Sequence, residues 1–226
     1  MKISLLHTTR GRPILAFKAF DEWISLADNP SEIEYIMALD DDDPTIPIYE
    51  EELAKIDQSR VGRFVFHVEG TRSIVEAFNK VALLMSDTSE LIIGISDDMG
   101  SSKSWDTILL DILKPYDNFK DPKFIGVHDG IFGSMLYLII NKAWFKRVGH
   151  ILYPEYTGCY ADDDMRETAR RLNSIIEAPH ILFEHRHPIV GKSVNDATYM
   201  RHSTPESIAQ NLAIYEKRAA RNFDIT

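Results

Sequence analysis

Residues 91–100 read LIIGISDDMG, and the fold turns on how they are read. Leu91 to Ile95 are apolar or glycine, and they run straight into Ser96 and two adjacent carboxylates, Asp97 and Asp98. A short run this apolar suits a strand covered on both faces. Two neighbouring carboxylates are costly to desolvate unless solvated, paired or bound to a cation. The strand must therefore end at a cleft or a surface. There the carboxylates either cap a solvated turn or supply oxygen ligands for a hard divalent ion such as Mg²⁺ or Mn²⁺.

The same design recurs towards the N-terminus. Ile3 to Leu6 reads as a buried strand followed by His7, Thr8, Thr9 and Arg10. Pro13 then suits the first turn of a helix, and Phe17, Phe20, Ile24 and Ala27 follow at helical spacing. Ile33 to Leu39 is a second strand, ending in Asp40-Asp41-Asp42-Asp43-Pro44. Arg63 to Val68 alternates as a third. Ser73-x-x-Glu76 is a capping box, with Ile74, Phe78, Val81 and Met85 on the apolar face behind it. Strand and helix alternate, so a mainly parallel α/β sheet is expected. Its ligands would sit beyond the carboxyl ends of the strands, where the polar residues cluster.

The second half is more mixed. Phe124 to Val127 and Leu136 to Ile140 are strand-like, and Asn141 opens a short helix. Tyr160-Ala161-Asp162-Asp163-Asp164-Met165 leads into a polar helix through Leu172. Ile181 to Phe183 is a strand ending in Glu184-His185-Arg186-His187-Pro188. Thr204-Pro205-Glu206 signals the last helix, to about Asn222. No linker rich in Gly, Pro or Ser divides the 226 residues, so one domain is expected.

Composition excludes other classes. No apolar run reaches the roughly 20 residues of a membrane span. The apolar part of MKISLLHTTRGRP is too short for a signal peptide. With Cys159 as the single cysteine there is neither a disulfide framework nor a thiolate zinc cluster, and a cytoplasmic setting is expected. The net charge of −10 opposes broad binding to nucleic acid and makes any phosphate-rich ligand depend on local cations.

In their order and spacing these pieces resemble a GT-A type nucleotide-sugar glycosyltransferase of the family-2-like kind, from Ile3 to about Tyr199. The resemblance implies an Rossmann-like α/β fold. A nucleotide-sugar-binding half would span about residues 1–100, and an acceptor-binding half with the C-terminal helix about 101–226. It implies that ISLLHTTRGRP cradles the nucleotide through Thr8, Thr9, Arg10 and Arg12, and that Asp40 meets base or ribose. Arg72 and Asn79 in TRSIVEAFNKVA would line the same pocket. GISDDMG stands where that family has Asp-x-Asp. Asp98 would be the metal ligand, Ser96 replaces the other acid, and Asp97 lies between them on the donor side. FEHRHP would add His187, and with it His185, to a Mn²⁺ or Mg²⁺ site. Lys192 would steady the pyrophosphate. YADDDMRETARRL would supply the base of an inverting transfer, Asp162, or Asp163 on a slip of one residue.

The expected donor is a nucleoside-diphosphate sugar, a UDP-sugar first. The acceptor is open between a glycan, a protein, a lipid headgroup and a hydroxylated DNA base. Two other functions fit the same residues. A sugar nucleotidyltransferase would favour a Gly-rich first loop, whereas HTTRGRP has one glycine. A non-catalytic nucleotide-binding module would explain Ser96. Simpler roles also stand for several groups: packing for His7, His67, Trp105 and Trp144, a strand-end turn for His128-Asp129-Gly130, and a solvated face for Arg170-Arg171.

Overall fold

The computed structural model describes residues 2–116, 120–131, 138–201 and 204–225. Its centre is a sheet of seven strands in the order β3-β2-β1-β4-β6-β5-β7. These are β1 (Ile3–Thr9), β2 (Ile33–Leu39), β3 (Arg63–Val68), β4 (Leu91–Ile95), β5 (Phe124–His128), β6 (Leu138–Asn141) and β7 (Ile175–Leu182). β1, β2, β3 and β4 pair in parallel. β6 runs antiparallel to β4 and β5, and β7 returns parallel to β5, so β6 alone is reversed.

Every residue of β1, β2 and β4 is buried, because both faces of the sheet are covered. Side chains alternate between the faces. Leu5, Tyr35, Met37 and Ile93 point into one core, with Phe17, Phe20 and Trp23 of α1 (Pro13–Ser25), Tyr49 of α2 (Ile46–Leu53) and Trp105 of α4 (Trp105–Leu113). Leu6, Ile36 and Ile92 point into the other. There they meet Val75 and Phe78 of α3 (Ile74–Val81), Trp144 of α5 (Lys142–Val148) and Met165 of α6 (Ala161–Arg171). Trp105 and Trp144 are thus core residues, 0% and 1% exposed. Two further helices, α7 (Ala197–Arg201) and α8 (Pro205–Ala220), complete the described chain.

The β1–β4 expectations hold closely, with β1 continuing to Thr9. Ser73 Oγ caps α3 by accepting the Glu76 N–H at 3.1 Å, while the Glu76 carboxylate reaches back to the Arg72 N–H at 2.8 Å. Three differences have physical reasons. β7 begins at Ile175, six residues before the expected strand. Its first residues pair with Phe124 and Ile125, and the register then shifts between Val127 and His128. Pro179 falls in that irregularity, where a missing N–H is tolerated. Helices α2 and α4 carry Pro47 and a buried Asp106, which hide their periodicity. Asp106 is spent accepting the Asp28 and Asn29 N–H groups, both at 2.8 Å. Of the expected strand over 136–140, residues 136 and 137 lie outside the described residues, and the rest falls in β6. No helix among the described residues is long and apolar enough to cross a membrane.

A buried ion pair ties α6 to α8. Arg218 is 3% exposed and donates to the Asp164 carboxylate from Nε at 2.8 Å and Nη2 at 3.0 Å. Tyr156 Oη donates to the same carboxylate at 3.1 Å, and the Arg218 guanidinium lies 3.9 Å from the Tyr153 ring centroid. Arg218→Ala would leave a buried, unpaired carboxylate, and is expected to lower unfolding stability in urea by about 3–5 kcal/mol. Arg218→Met combined with Asp164→Leu should recover much of that loss.

Candidate active site

Parallel pairing brings three strand tips to one edge. Thr9 lies opposite Leu39, and His7 opposite Ile95. Arg10, Asp40, Ser96, Asp97 and Asp98 therefore emerge together. A small cavity of about 90 Å³ opens there, lined by Thr8, Thr9, Arg10, Arg12, Asp40, Ser96 and Asp97 among others. A larger one of about 350 Å³ adjoins it, since Arg12, Ser96 and Thr198 line both. Asp98, His185 and Asp162 face the larger cavity.

The two neighbouring aspartates leave β4 for different partners. Asp97 turns inward. His7 Nε2 lies 3.0 Å from its Oδ1, His7 Nδ1 lies 2.6 Å from the Tyr35 hydroxyl, and Arg12 approaches Oδ2 at 3.9 Å. Burial, and then the Asp97 charge, push the Tyr35 phenol far up, so that it stays protonated and able to donate. His7, expected as packing, is thus the post that fixes Asp97. The signal was a polar residue directly after the apolar run ending at Leu6, but a strand pattern cannot say what it touches.

Asp98 turns to the larger cavity. Ser96 Oγ donates to its Oδ1 at 2.7 Å, and His185 Nε2 stands 3.6 Å from its Oδ2. Burial acts to raise the Asp98 carboxyl, but His185, Ser96 and Arg12 together hold it below its ordinary value. Ser96 therefore orients the Asp98 carboxylate. His185 is brought there by backbone pairing. Met99 and His185 form an antiparallel bridge, Gly100 N–H donates to Glu184 O at 2.8 Å, and Arg186 N–H donates to Asp98 O at 2.8 Å.

Among the described residues no three His, Cys, Asp or Glu side chains gather as a metal cage. The expected trio of Asp98, His185 and His187 is only partly assembled. His187 Nδ1 accepts the Ile189 N–H at 3.0 Å, and its ring packs edge-on to His185 and Tyr199 outside both cavities. Burial, and then His185, lower its pKa. Asp98 and His185 by themselves offer one carboxylate oxygen and one imidazole nitrogen, two of the donors a divalent ion takes. Their 3.6 Å separation exceeds a hydrogen bond. Adjacent octahedral ligands each about 2.1 Å from one ion stand roughly 3.0 Å apart, somewhat closer than this pair. The other ring nitrogen of His185, Nδ1, is buried with no hydrogen-bond partner among the described residues, so the usual support for a ligating imidazole is not among them.

The cationic side is already engaged. Arg12 grips Asp196 through Nε at 2.7 Å and Nη2 at 2.6 Å. Arg10 donates to Asp40 at 2.9 Å and also to Asp42, and Arg201 donates to Asp40 at 3.0 Å. Thr198 Oγ1 donates to Arg10 O at 3.0 Å. Residues 196–201 thus lie across the first loop. The sequence carries no pattern that links them to residues 10–12. Thr9 bonds the buried Tyr49 hydroxyl at 2.7 Å, whereas Thr8 Oγ1 is buried without a hydrogen-bond partner.

Three expected donor residues lie apart from these cavities. Asn79 holds the chain at Ile151 and Leu152, accepting both N–H groups at 2.9 and 3.1 Å and donating to Leu152 O at 2.7 Å. It lines a separate groove together with Arg72. Lys192 pairs with Glu184 at 2.6 Å in an exposed loop.

The acidic triplet separates by direction. Asp164 is the buried partner of Arg218, and Asp163 pairs with Arg166 at 2.5 Å. Asp162 lines the large cavity. Burial, and then the Asp163 charge, push its carboxyl above its ordinary value.

No family profile and no curated protein sequence matches the chain. Solved structures do match along its whole length. TarS 1-349 of S. aureus in complex with UDP superposes at a TM-score of 0.61, with 11% identity, over 100% of this chain and 73% of that one. A mannosyltransferase, PcManGT from Pyrobaculum calidifontis, in complex with GDP-Man and Mn²⁺, gives 0.60 and 13% identity over 97% and 75%. The chain has a GT-A fold. A 4-diphosphocytidyl-2C-methyl-D-erythritol synthase from Anaerococcus prevotii is more distant, at 0.51 and 14% over 95% and 96%. At such identities the likeness concerns the GT-A architecture alone.

The raised Asp162 carboxyl carries a stability consequence. The folded protein holds this proton more tightly than the unfolded chain, so stability from this group is present at low pH and lost as pH rises through its folded pKa. Asp162→Asn should therefore raise the thermal midpoint at pH 8. The gain should shrink as pH falls towards the ordinary carboxylate range of about 4.

Proposed function

We propose that the protein transfers a glycosyl group from a nucleoside-diphosphate sugar to an acceptor hydroxyl. One observation carries this reading. A single cavity joins the Asp98–His185 pair to Asp162, beside the polar pocket of Thr8, Arg10, Arg12, Asp40 and Ser96. Residues up to about 100 form the donor half, and residues from about 101 carry the acceptor side. The GT-A neighbours bound to UDP and to GDP-Man support a nucleotide-sugar donor, with a UDP-sugar the first to test.

In this reading the nucleotide lies over the tips of β1 and β2. Asp40 faces the ribose or base, and Arg12 faces the diphosphate. Asp196 holds Arg12 through two hydrogen bonds, and the charge of Asp97, fixed by His7, faces it at 3.9 Å. Asp98 and His185 would hold Mn²⁺ or Mg²⁺, with the remaining coordination left to diphosphate oxygens and water. Such an ion would neutralise charge on the departing diphosphate. His187 would support His185 from behind. Asp162 takes the acceptor proton as its oxygen attacks the anomeric carbon, which makes inversion the expected outcome. A carboxylate with a raised pKa is the stronger base. Asp163, paired with Arg166, is the lesser candidate.

Two measurements test this. The thermal midpoint should be recorded with UDP, GDP, CDP, TDP and ADP, each with Mn²⁺ and with EDTA. A ligand at 100 times its Kd adds about 2.7 kcal/mol, worth roughly 5–10 °C in a chain of this size. One nucleotide should give this shift with Mn²⁺, and Asp98→Ala should remove it. No shift with any nucleotide would overturn the donor assignment. In turnover assays with the donor so identified, Asp162→Asn should lose at least about 100-fold while keeping nucleotide binding. Asp163→Asn should stay near the parent rate, and the reverse pattern would move the base to Asp163.

A further inference from the structure

The large cavity is built asymmetrically. Its polar groups gather on the side of β4 and the first turn of α6, around Asp98, His185 and Asp162. Val75, Phe78, Phe124, Leu138, Leu152 and Met165 form an apolar wall facing them, while Arg12, Ser96 and Thr198 mark the border with the small polar pocket. The wall residues belong to the core on that face of the sheet, so the cavity is a gap in hydrophobic packing that ends at carboxylates. A polyhydroxylated acceptor laid against the apolar wall would lose water from several hydroxyls and find few partners for them on that side. An apolar body would instead fill a gap of about 350 Å³, a size typical of small-molecule pockets.

A second observation concerns the way in. Thr198 and Tyr199 line the cavity from the segment that crosses the first loop. That segment exposes Met200 at 53%, and the chain leading into it exposes Ile189, Val190 and Val194 at 69%, 44% and 75%. Four exposed apolar side chains thus fall within a dozen residues of chain. Apolar surface thus lies both inside the cavity and on the segment that borders it.

We infer that the acceptor is an alcohol whose hydroxyl is carried on an apolar aryl or alkyl body with few other polar groups. The inference rests on the glycosyl-transfer reading and adds the acceptor class to it. The apolar body lies against Phe78, Phe124 and Met165, with its hydroxyl towards Asp162. The hydroxyl proton passes to the Asp162 carboxylate as the alcohol oxygen bonds to the anomeric carbon. The bond from that carbon to the phosphate oxygen breaks, and its electron pair leaves with the nucleoside diphosphate.

4-Methylumbelliferone, a fluorescent phenol, serves as the probe, and methyl α-glucopyranoside as the polar control. Titration into the full chain should show saturable binding of the phenol at least 10-fold tighter than of the glucoside. With the donor that the nucleotide screen identifies, only the phenol should be converted to its glycoside. Met165→Gln keeps the volume and adds polarity, while Cys159→Trp fills the cavity from a half-buried position outside the core. Each should weaken phenol binding at least 10-fold; if Met165→Gln does not fold, Cys159→Trp alone carries the test. Equal or tighter binding of the glucoside, no binding of the phenol, or phenol binding unchanged in the folded variants would overturn the inference. The nucleotide screen is independent of these titrations. Nucleotide shifts without phenol binding would leave glycosyl transfer standing and remove the apolar acceptor. Phenol binding without nucleotide shifts would remove glycosyl transfer itself.

Discussion

Two carboxylates on adjacent residues repel each other, and at the end of a buried strand little water is available to screen them. The tip of β4 meets this constraint by giving each its own counterpart. Asp97 lies against His7 and Arg12, and Asp98 against Ser96 and His185. Much of the surrounding architecture follows from that division. His7 must be buried in β1 with Tyr35 behind it. Arg12 must sit at the start of α1. The chain after β7 must return along residues 98–100, which is why the His185 backbone is bridged to Met99. Trp23 secures the same turn by donating its indole N–H to Met99 O at 2.9 Å.

The acidic start of α6 solves a similar problem with one helical turn. Successive side chains on a helix point about 100° apart, so three aspartates in a row cannot share an environment. Asp164 faces the core, Asp163 faces the surface, and Asp162 faces the cavity. Because Asp164 is anchored by Arg218, the whole turn is held against α8. A carboxyl with a raised pKa is thereby kept in place by a neighbour that is itself anchored by an ion pair.

Strand patterns in the sequence were enough to expect β1 to β4, and with them the edge at which the candidate site stands. That legibility has a simple origin: a strand buried on both faces must be apolar throughout, and the polar residues after it mark where burial ends. The same logic could not divide Asp97 from Asp98 by function, nor Asp162 from Asp163, because such differences arise from direction and not from residue type. Asn79 shows the limit in another way. An amide on a helix near the site looks suited to a nucleotide, yet three backbone groups at Ile151 and Leu152 claim it. Contacts between distant segments, such as Arg12 with Asp196, leave no local periodicity to read.

That last contact also bears on how the molecule is assembled. Its partners are 184 residues apart in the chain, and the pairings of Arg10 O with Thr198 and of Asp40 with Arg201 span 188 and 161. Closing loops of that length carries an entropic cost that local helices and neighbouring strands do not. The first four strands can find one another early. The rim of the cleft above them is finished only when the last fifth of the chain has folded back. During synthesis the early strands therefore stand beside an incomplete rim. Completion of the cleft is a late event that marks the maturation of the whole chain.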